Sequence, residues 1–347
     1  MQLSGQGVSA NPHVMPEAQP AIADGVEYKV YDRHGNRSSL LAIVGAAEGA
    51  EVLLVGEEHD DMIGHAFETE LFKAAVERLG PSDDSPGRPV VLSLEMFERD
   101  VQYVLDEYLH GLISEDHFLS SARPWDYYEG RYRPLIEAAR EFGSPVIAAN
   151  APRRYVSRVT SEGPASLQSL SAVAQSYLPP LPYPGPSDLY RDQWNEVMAA
   201  AMAEMEAPDS AQAGLAEEGG EPSTDEPQGE TEPSEGEDEA EQPHGYQMSP
   251  NAIYSQALWD ASMGHAITNA LVRRLGTLVV HFAGSFHVAS GTGITERIED
   301  YRPGTKVTTV VMTKVDDIDA WLADEHGDLA DFVVLTKKPT PAATAGS

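Results

Sequence analysis

Cysteine is absent from the 347 residues, which excludes disulfides, thiolate metal sites, a cysteine nucleophile and a lipidated N-terminal cysteine. Long hydrophobic runs are missing too. Nowhere do about 18 apolar residues follow one another, the minimum for a membrane-spanning helix. The first twenty residues hold neither a basic n-region nor an apolar h-region. These absences predict a soluble, cytoplasmic protein with no membrane insertion. Positive charge is scarce as well, with 23 basic residues against 56 acidic ones and a formal net charge of −33. Such a balance disfavours nucleic acid and anionic membranes as partners. Part of the excess is local, since residues 204–241 hold fifteen Asp or Glu. Without those fifteen the charge is still −18, and only six lysines occur in the whole chain. An acidic, lysine-poor surface suits high salt, where screening relieves self-repulsion.

What is present is organised around Glu51 to Asp61, EVLLVGEEHDD. Val52 to Val55 is a continuous apolar run, the pattern of a strand covered on both faces. Gly56 breaks it, and Glu57, Glu58, His59, Asp60 and Asp61 follow where a helical pattern begins at Gly64. Three further apolar runs repeat the arrangement. Pro89 to Leu94 leads to Glu95, Pro145 to Ala149 leads to Asn150 with Arg153 and Arg154 beyond, and Thr277 to Ala283 leads to Gly284-Ser285-Phe286-His287. As parallel neighbours these four strands would deliver His59, Glu58, Glu95, Asn150 and His287 to one edge. In open α/β sheets ligands bind there, beyond the carboxyl ends of the strands.

Strands alternating with amphipathic helices predict an α/β fold, a central mostly parallel sheet flanked by helices, with a helical subdomain. Residues 1–24 and 339–347 read as disordered tails around one domain at 25–338, and the subdomain spans about 114–274. Residues 206–247 combine Glu, Gly, Pro, Ser and Gln with almost no large apolar residue, the composition of a disordered acidic insertion. Helices are expected at Gly64–Leu79, Arg99–His110, Ser114–Ser121 with Ser114 as cap, Pro134–Phe142, Arg153–Glu162, Ser166–Tyr177, Asp188–Met205, Pro250–Arg274 and Ile294–Tyr301. Val26–Tyr31 reads as an edge strand, Ser39–Val44 as a short strand or a helix start, and Lys306–Met312 and Phe332–Leu335 as later strands.

Gly56-Glu57-Glu58-His59 and Gly284-Ser285-Phe286-His287 share one logic: glycine lets the chain turn sharply off a strand and histidine enters the crevice. Two imidazoles with Glu58 and Glu95 are suitable ligands for a divalent metal such as Zn, Mn, Co or Fe. The same four residues could instead act without metal, a histidine serving as general base and a carboxylate orienting it. Asp260, one helical turn from Gln256, could orient an imidazole from behind. His281, inside an apolar run, reads as a hydrogen-bonded core residue, and His65, His110 and His117 sit on helices with no partner in view.

An ordered series of motifs, GEEHDD, LSLEMFERDVQYVLDEYL, WDYYEGRYRPL, IAANAPRRYV, QALWDASM and GSFH, resembles the ChaN-like family of bacterial haem-binding, iron-regulated proteins from about Glu51 to Ile298. Through its two Gly-x-x-His motifs that family is similar to a superfamily containing erythromycin esterases and the Tiki metalloproteases. The first resemblance implies haem bound between the subunits of a homodimer, with iron ligated by tyrosine, in haem or iron uptake. The second implies a metal-assisted hydrolase, an esterase or peptidase, working at His59, Glu95 and His287. Tyrosinate suits ferric iron, and a nearby arginine favours its ionised form. Tyr127, Tyr128 and Tyr132 lie close to Arg131 and Arg133, whose guanidinium groups could pair with haem propionates. Arg153 could face an anionic ligand at a helix start. Many members of the family carry a lipoprotein signal; with none found here, intracellular haem handling is the expected setting.

Overall fold

Strands and helices alternate along most of the chain, in a computed structural model that describes residues 18–82, 85–206 and 249–339. In order come β1 (Tyr28–Asp32), α1 (Leu40–Ala47), β2 (Val52–Glu57), α2 (Met62–Leu79), β3 (Val90–Glu98), α3 (Gln102–Leu109), α4 (Glu115–Ala122), α5 (Tyr128–Arg131), α6 (Arg133–Glu141) and β4 (Val146–Asn150). There follow α7 (Arg153–Glu162), α8 (Ala172–Gln175), α9 (Asp188–Glu206), α10 (Ala252–Arg273), β5 (Leu278–Gly284), α11 (Ile294–Tyr301), β6 (Val307–Val315), α12 (Ala323–His326) and β7 (Phe332–Lys337). The chain divides into two compact units, Met1–Pro186 with Asn251–Ser347, and Ser187–Pro250, in which α9 is the described element. No helix among the described residues is long and apolar enough to cross a membrane. Apart from residues 18–24, 206 and 339, the expected tails and acidic insertion lie outside the described residues.

One seven-stranded sheet runs β1-β7-β6-β2-β5-β3-β4. Only the β1–β7 pair at one edge is antiparallel. The α/β class is therefore as the sequence predicts, and the four apolar runs are contiguous neighbours. Alternate residues of a strand face opposite ways, and both faces here are covered. Leu53 and Val55 of β2, Leu92 and Leu94 of β3 and Val280 and Phe282 of β5 pack with Phe67, Leu71 and Phe72 of α2, together with α3 and α6. On the other face Val52, Leu54, Val279 and Ala283 meet Met263, Ile267 and Leu271 of α10 and Ile294 and Ile298 of α11. Double coverage accounts for the absence of polar alternation in these runs. A third cluster joins Val156 and Val159 of α7 to Leu258 and Ala261 of α10, next to the carboxyl end of β4.

Local differences from the sequence reading have local causes. Ser39–Val44 is the start of a helix, because the Ser39 hydroxyl accepts from the Ala42 amide and caps α1. Strand β3 runs on to Glu98 through an irregularity after Leu94, so Glu95 lies within the strand and not past its end. The stretch expected as one helix over Ser166–Tyr177 is a 3-10 turn (Pro164–Ser169) followed by α8.

Candidate functional site

At the carboxyl ends of β2 and β5 two glycines stand where a Cβ would be crowded, one by backbone and one by an imidazole. A Cβ on Gly56 would lie 2.9 Å from Ser285 Cα, and one on Gly284 would lie 3.2 Å from both Cε1 and Nε2 of His59. Sequence reasoning assigned these glycines to sharp turns. Both are strand residues, and what each supplies is the missing Cβ. The His59 ring is thereby seated against the end of β5, with Trp125 edge-on at 4.8 Å.

His59 Nδ1–H donates to Glu57 Oε1 at 2.7 Å, which leaves Nε2 as the free lone pair on a half-exposed ring. Burial opposes its charge, but the hydrogen bond and negative charge of Glu57 outweigh burial and raise its pKa. Glu95 and His287 also act on its charge. On the neighbouring strand, Glu95 Oε2 accepts from the Gly284 amide at 2.7 Å, and its Oε1 lies 3.6 Å from His287 Nε2. Asp260 of α10 accepts from His287 Nδ1–H at 2.7 Å, the orienting role expected of it. Burial again opposes protonation, yet Asp260 and Glu95 push His287 up to about 9. His59, Glu95 and His287 are thus brought together as the sequence predicts, each held by a fixed partner. Two carboxylate-oriented imidazoles beside a carboxylate can hold a cation or move a proton.

Glu58 is not part of this group. Its Oε1 accepts from the Thr313 hydroxyl at 3.0 Å and from the Lys314 amide at 2.8 Å, and the Lys314 ammonium lies 3.3 Å from Oε2. The side chain is therefore spent on β6, and the carboxylate beside the His59 ring is Glu57. Asn150 is buried and accepts from the Ala151 amide, which ties it to the end of β4.

Behind His59 lies a cluster that the sequence reading missed. His65 of α2, expected to have no partner, places Nδ1 3.0 Å from Glu68 Oε2 and 3.2 Å from Glu57 Oε2. Its Nε2–H donates to the His59 carbonyl at 3.0 Å. The Tyr132 hydroxyl donates to Glu57 Oε1 at 2.5 Å. Burial opposes the imidazolium of His65, but Glu57 and Glu68 raise it to about 11. Burial and the charge of Glu57 hold Glu68 well above the usual carboxylate range. For Glu57 burial acts upward, but His65 and the His59 hydrogen bond keep it well below that range. Two periodicities pointed to this cluster. Glu57 shares strand parity with Leu53 and Val55, which face α2, and His65 and Glu68 are three apart on that helix.

Beside His59 opens a cleft of about 590 Å³ lined by Met96, Trp125, Tyr127, Arg131, Tyr132 and Arg153 among others. Three tyrosines were candidates here, and their settings differ. Tyr127 is 64 % exposed, with the Arg131 guanidinium 4.1 Å from its ring centroid. Tyr128 is buried in the core against Phe97 and Phe118, and burial raises its pKa. Tyr132 reaches the lining, but its hydroxyl is committed to Glu57, and burial followed by that carboxylate's charge pushes its pKa up. Among the cations, Arg133 is paired with Glu115 at 2.5 Å away from the lining, and Arg123 with Glu98 and Asp100, both at 2.8 Å. Arg131 donates to the His59 carbonyl and, like Arg153, has no carboxylate partner among the described residues.

A family model described as haem-binding uptake, Tiki superfamily, ChaN, matches residues 43–298. Among solved structures, one of ChaN from Campylobacter jejuni with cofacial haem binding aligns over 92 % of this chain and all of that one, at 16 % identity and a TM-score of 0.59. At that identity the likeness shows the fold alone. The type III effector HopBA1 aligns over 86 % of this chain and 94 % of its own at 11 % identity, but its TM-score of 0.40 is too low to carry an argument. No curated protein matches the chain.

Proposed function

The chain belongs to the ChaN family of haem-binding uptake proteins in the Tiki superfamily, and from that membership we propose that the cleft beside His59 takes haem, with Tyr127 as the iron ligand. The observation that carries this reading is the pairing of Tyr127 with Arg131. A phenolate that is to hold ferric iron would have to be accessible and accompanied by positive charge. Tyr127 is exposed at the cleft with a guanidinium against its ring, whereas Tyr128 is enclosed and Tyr132 faces a carboxylate. The remaining lining suits the rest of the ligand. Trp125 and Met96 offer apolar surface to a flat macrocycle, and Arg131 and Arg153 offer two guanidinium groups to carboxylates. When bound, haem supplies a ferric centre. The chain's own contribution is to enclose one face and balance the propionate charge. Because Tyr127 stands at the lip of the cleft, a second copy stacking its haem against the first is the natural closure, and gives a homodimer.

A haemin titration of the purified chain tests this. Wild type should show a saturable Soret shift with a tyrosinate charge-transfer band, and light scattering should show the mass doubling as haemin is added. Tyr127→Phe should lose the band and at least about tenfold in affinity, while Tyr128→Phe keeps both. A band that survives in Tyr127→Phe would move the ligand elsewhere. Weak, unsaturable binding by wild type would remove the haem reading and leave His59, Glu95 and His287 as the centre of a hydrolase.

A further inference from the structure

Three potential ligand atoms meet behind the cleft in a place sealed from solvent. Glu57, His65 and Glu68 are each at most 3 % exposed, and one ligand atom from each lies within 4.8 Å of the other two. We propose that this triad is a closed site for a divalent first-row transition metal, separate from the cleft, that fixes Glu57 and through it the ring of His59. The proposal stands whether or not the cleft takes haem.

The hydrogen bonds around the triad aim its donor atoms at one another and so at one point. His65 Nε2 faces only the His59 carbonyl, at 3.0 Å, so that nitrogen must carry the proton. In the neutral ring the lone pair is then on Nδ1, which is the atom aimed at the two carboxylates. A backbone carbonyl holding the far N–H of an imidazole is how metal-bound histidines are commonly oriented. Glu57 is arranged the same way. Its Oε1 receives both Tyr132 O–H and His59 Nδ1–H, while the buried Oε2 is left without a hydrogen bond. Glu68 Oε1 is also buried and without a hydrogen bond. Buried polar atoms are almost always satisfied, and this pair is satisfied either by a proton held between the two carboxyl groups or by an ion in its place.

Charge and distance both fit an ion in that place. No lysine or arginine pairs with Glu57 or Glu68 among the described residues, so without an ion the charge there is balanced by protons alone, one on His65 and one kept on Glu68. A divalent ion would displace those two protons and leave the net charge of the cluster unchanged, as metal ligands must be deprotonated to bind. Ligand bonds of about 2.0–2.2 Å put neighbouring donor atoms roughly 3.0–3.5 Å apart. The Nδ1 separations of 3.0 and 3.2 Å fall in that range. Two carboxylates with one imidazole suit Mn²⁺, Fe²⁺ or Zn²⁺ more than Ca²⁺ or Cu⁺. With no solvent-facing position, the ion would act by holding Glu57, a positioning role.

The test uses the full chain, stripped with a chelator, reloaded with Zn²⁺, Mn²⁺ or Co²⁺ and desalted before elemental analysis. Wild type should keep one ion per chain. Glu68→Gln, nearly isosteric and one charge lighter, should bind at least about tenfold more weakly, while its metal-free form melts no lower than wild type. His287→Ala should keep the ion, since the cleft is not its site. Proton NMR of the Co²⁺ form gives a second readout that needs no variant. One histidine ligand produces a single strongly shifted, exchange-protected imidazole N–H, whereas a site at His59 and His287 produces two. Loss of the ion in His287→Ala, equal retention in Glu68→Gln, two shifted protons, or no retained ion in wild type would each overturn the proposal.

Discussion

His281 shows how far burial alone can retune a side chain. It lies in the middle of β5, shares a 2.8 Å hydrogen bond with the Ser93 hydroxyl, and leaves Nε2 without a partner. Burial, followed by the charge of His287, lowers its pKa to about 3. Unfolded, a histidine takes up its proton near pH 6.5, so between about 6.5 and 3 the unfolded chain binds a proton that the folded chain refuses. The stability linked to His281 is therefore present above pH 6.5 and is lost as pH falls through that window, by up to about 1.4 kcal/mol per pH unit. Urea unfolding of wild type and His281→Gln at pH 7.5, 6 and 5 should show the advantage of wild type shrinking with acidity; a gap that ignores pH would contradict the assignment. This histidine could be read from the sequence because its apolar neighbours announce a buried strand. His65 could not be read from its neighbours alone. Its partners are one strand end and one helical turn away, and recognising them requires combining strand parity with helix phase. The position of Glu58 was hidden for the same reason, since only the pairing of β2 with β6 brings Lys314 beside it.

At the level of elements, α2 governs the cluster because it carries both His65 and Glu68, and its first turn is fixed by Asp61. That side chain accepts from the Ile63 amide at 3.0 Å and from the Thr336 hydroxyl at 2.6 Å, which ties the helix start to β7. Replacing Asp61 by alanine should cost about 1–2 kcal/mol, and by asparagine clearly less, as read from denaturant midpoints at constant m-value. Equal losses for both substitutions would mean that the charge, and not the cap, is what matters. Elements with strong internal signals were the legible ones. Four apolar runs became β2, β3, β4 and β5, and Ile294–Tyr301 became α11 with the bounds expected. The four-residue α12 was not anticipated, because it is too short for a periodic pattern. It is held instead by a bond within its own turn, in which the Leu322 amide donates to His326 Nδ1. Continuation of β3 to Glu98 likewise depends on pairing with β4, which no window of sequence contains.

For the whole molecule the dominant fact is charge. A net charge of −33 makes the folded state repel itself, and salt relieves repulsion between exposed charges. The melting temperature should rise between about 0.1 and 1 M NaCl, over which the screening length drops from about 10 Å to about 3 Å. A flat or falling curve would mean that the favourable ion pairs outweigh the excess of like charge. Within this acidic body the cleft is more evenly charged, with Arg123, Arg131 and Arg153 lining it beside Asp60, Glu98 and Asp126. Arg131 and His65 approach one and the same oxygen, the carbonyl of His59, from the front and from behind. Any anion that recruits Arg131 takes a donor from that oxygen and leaves it to His65. That carbonyl is therefore a contact common to the cleft and the inner triad, through which occupancy of one could be felt at the other. Thermodynamic linkage would make any such influence equal in both directions, so a haemin titration with and without an ion loaded in the triad would read it from either side.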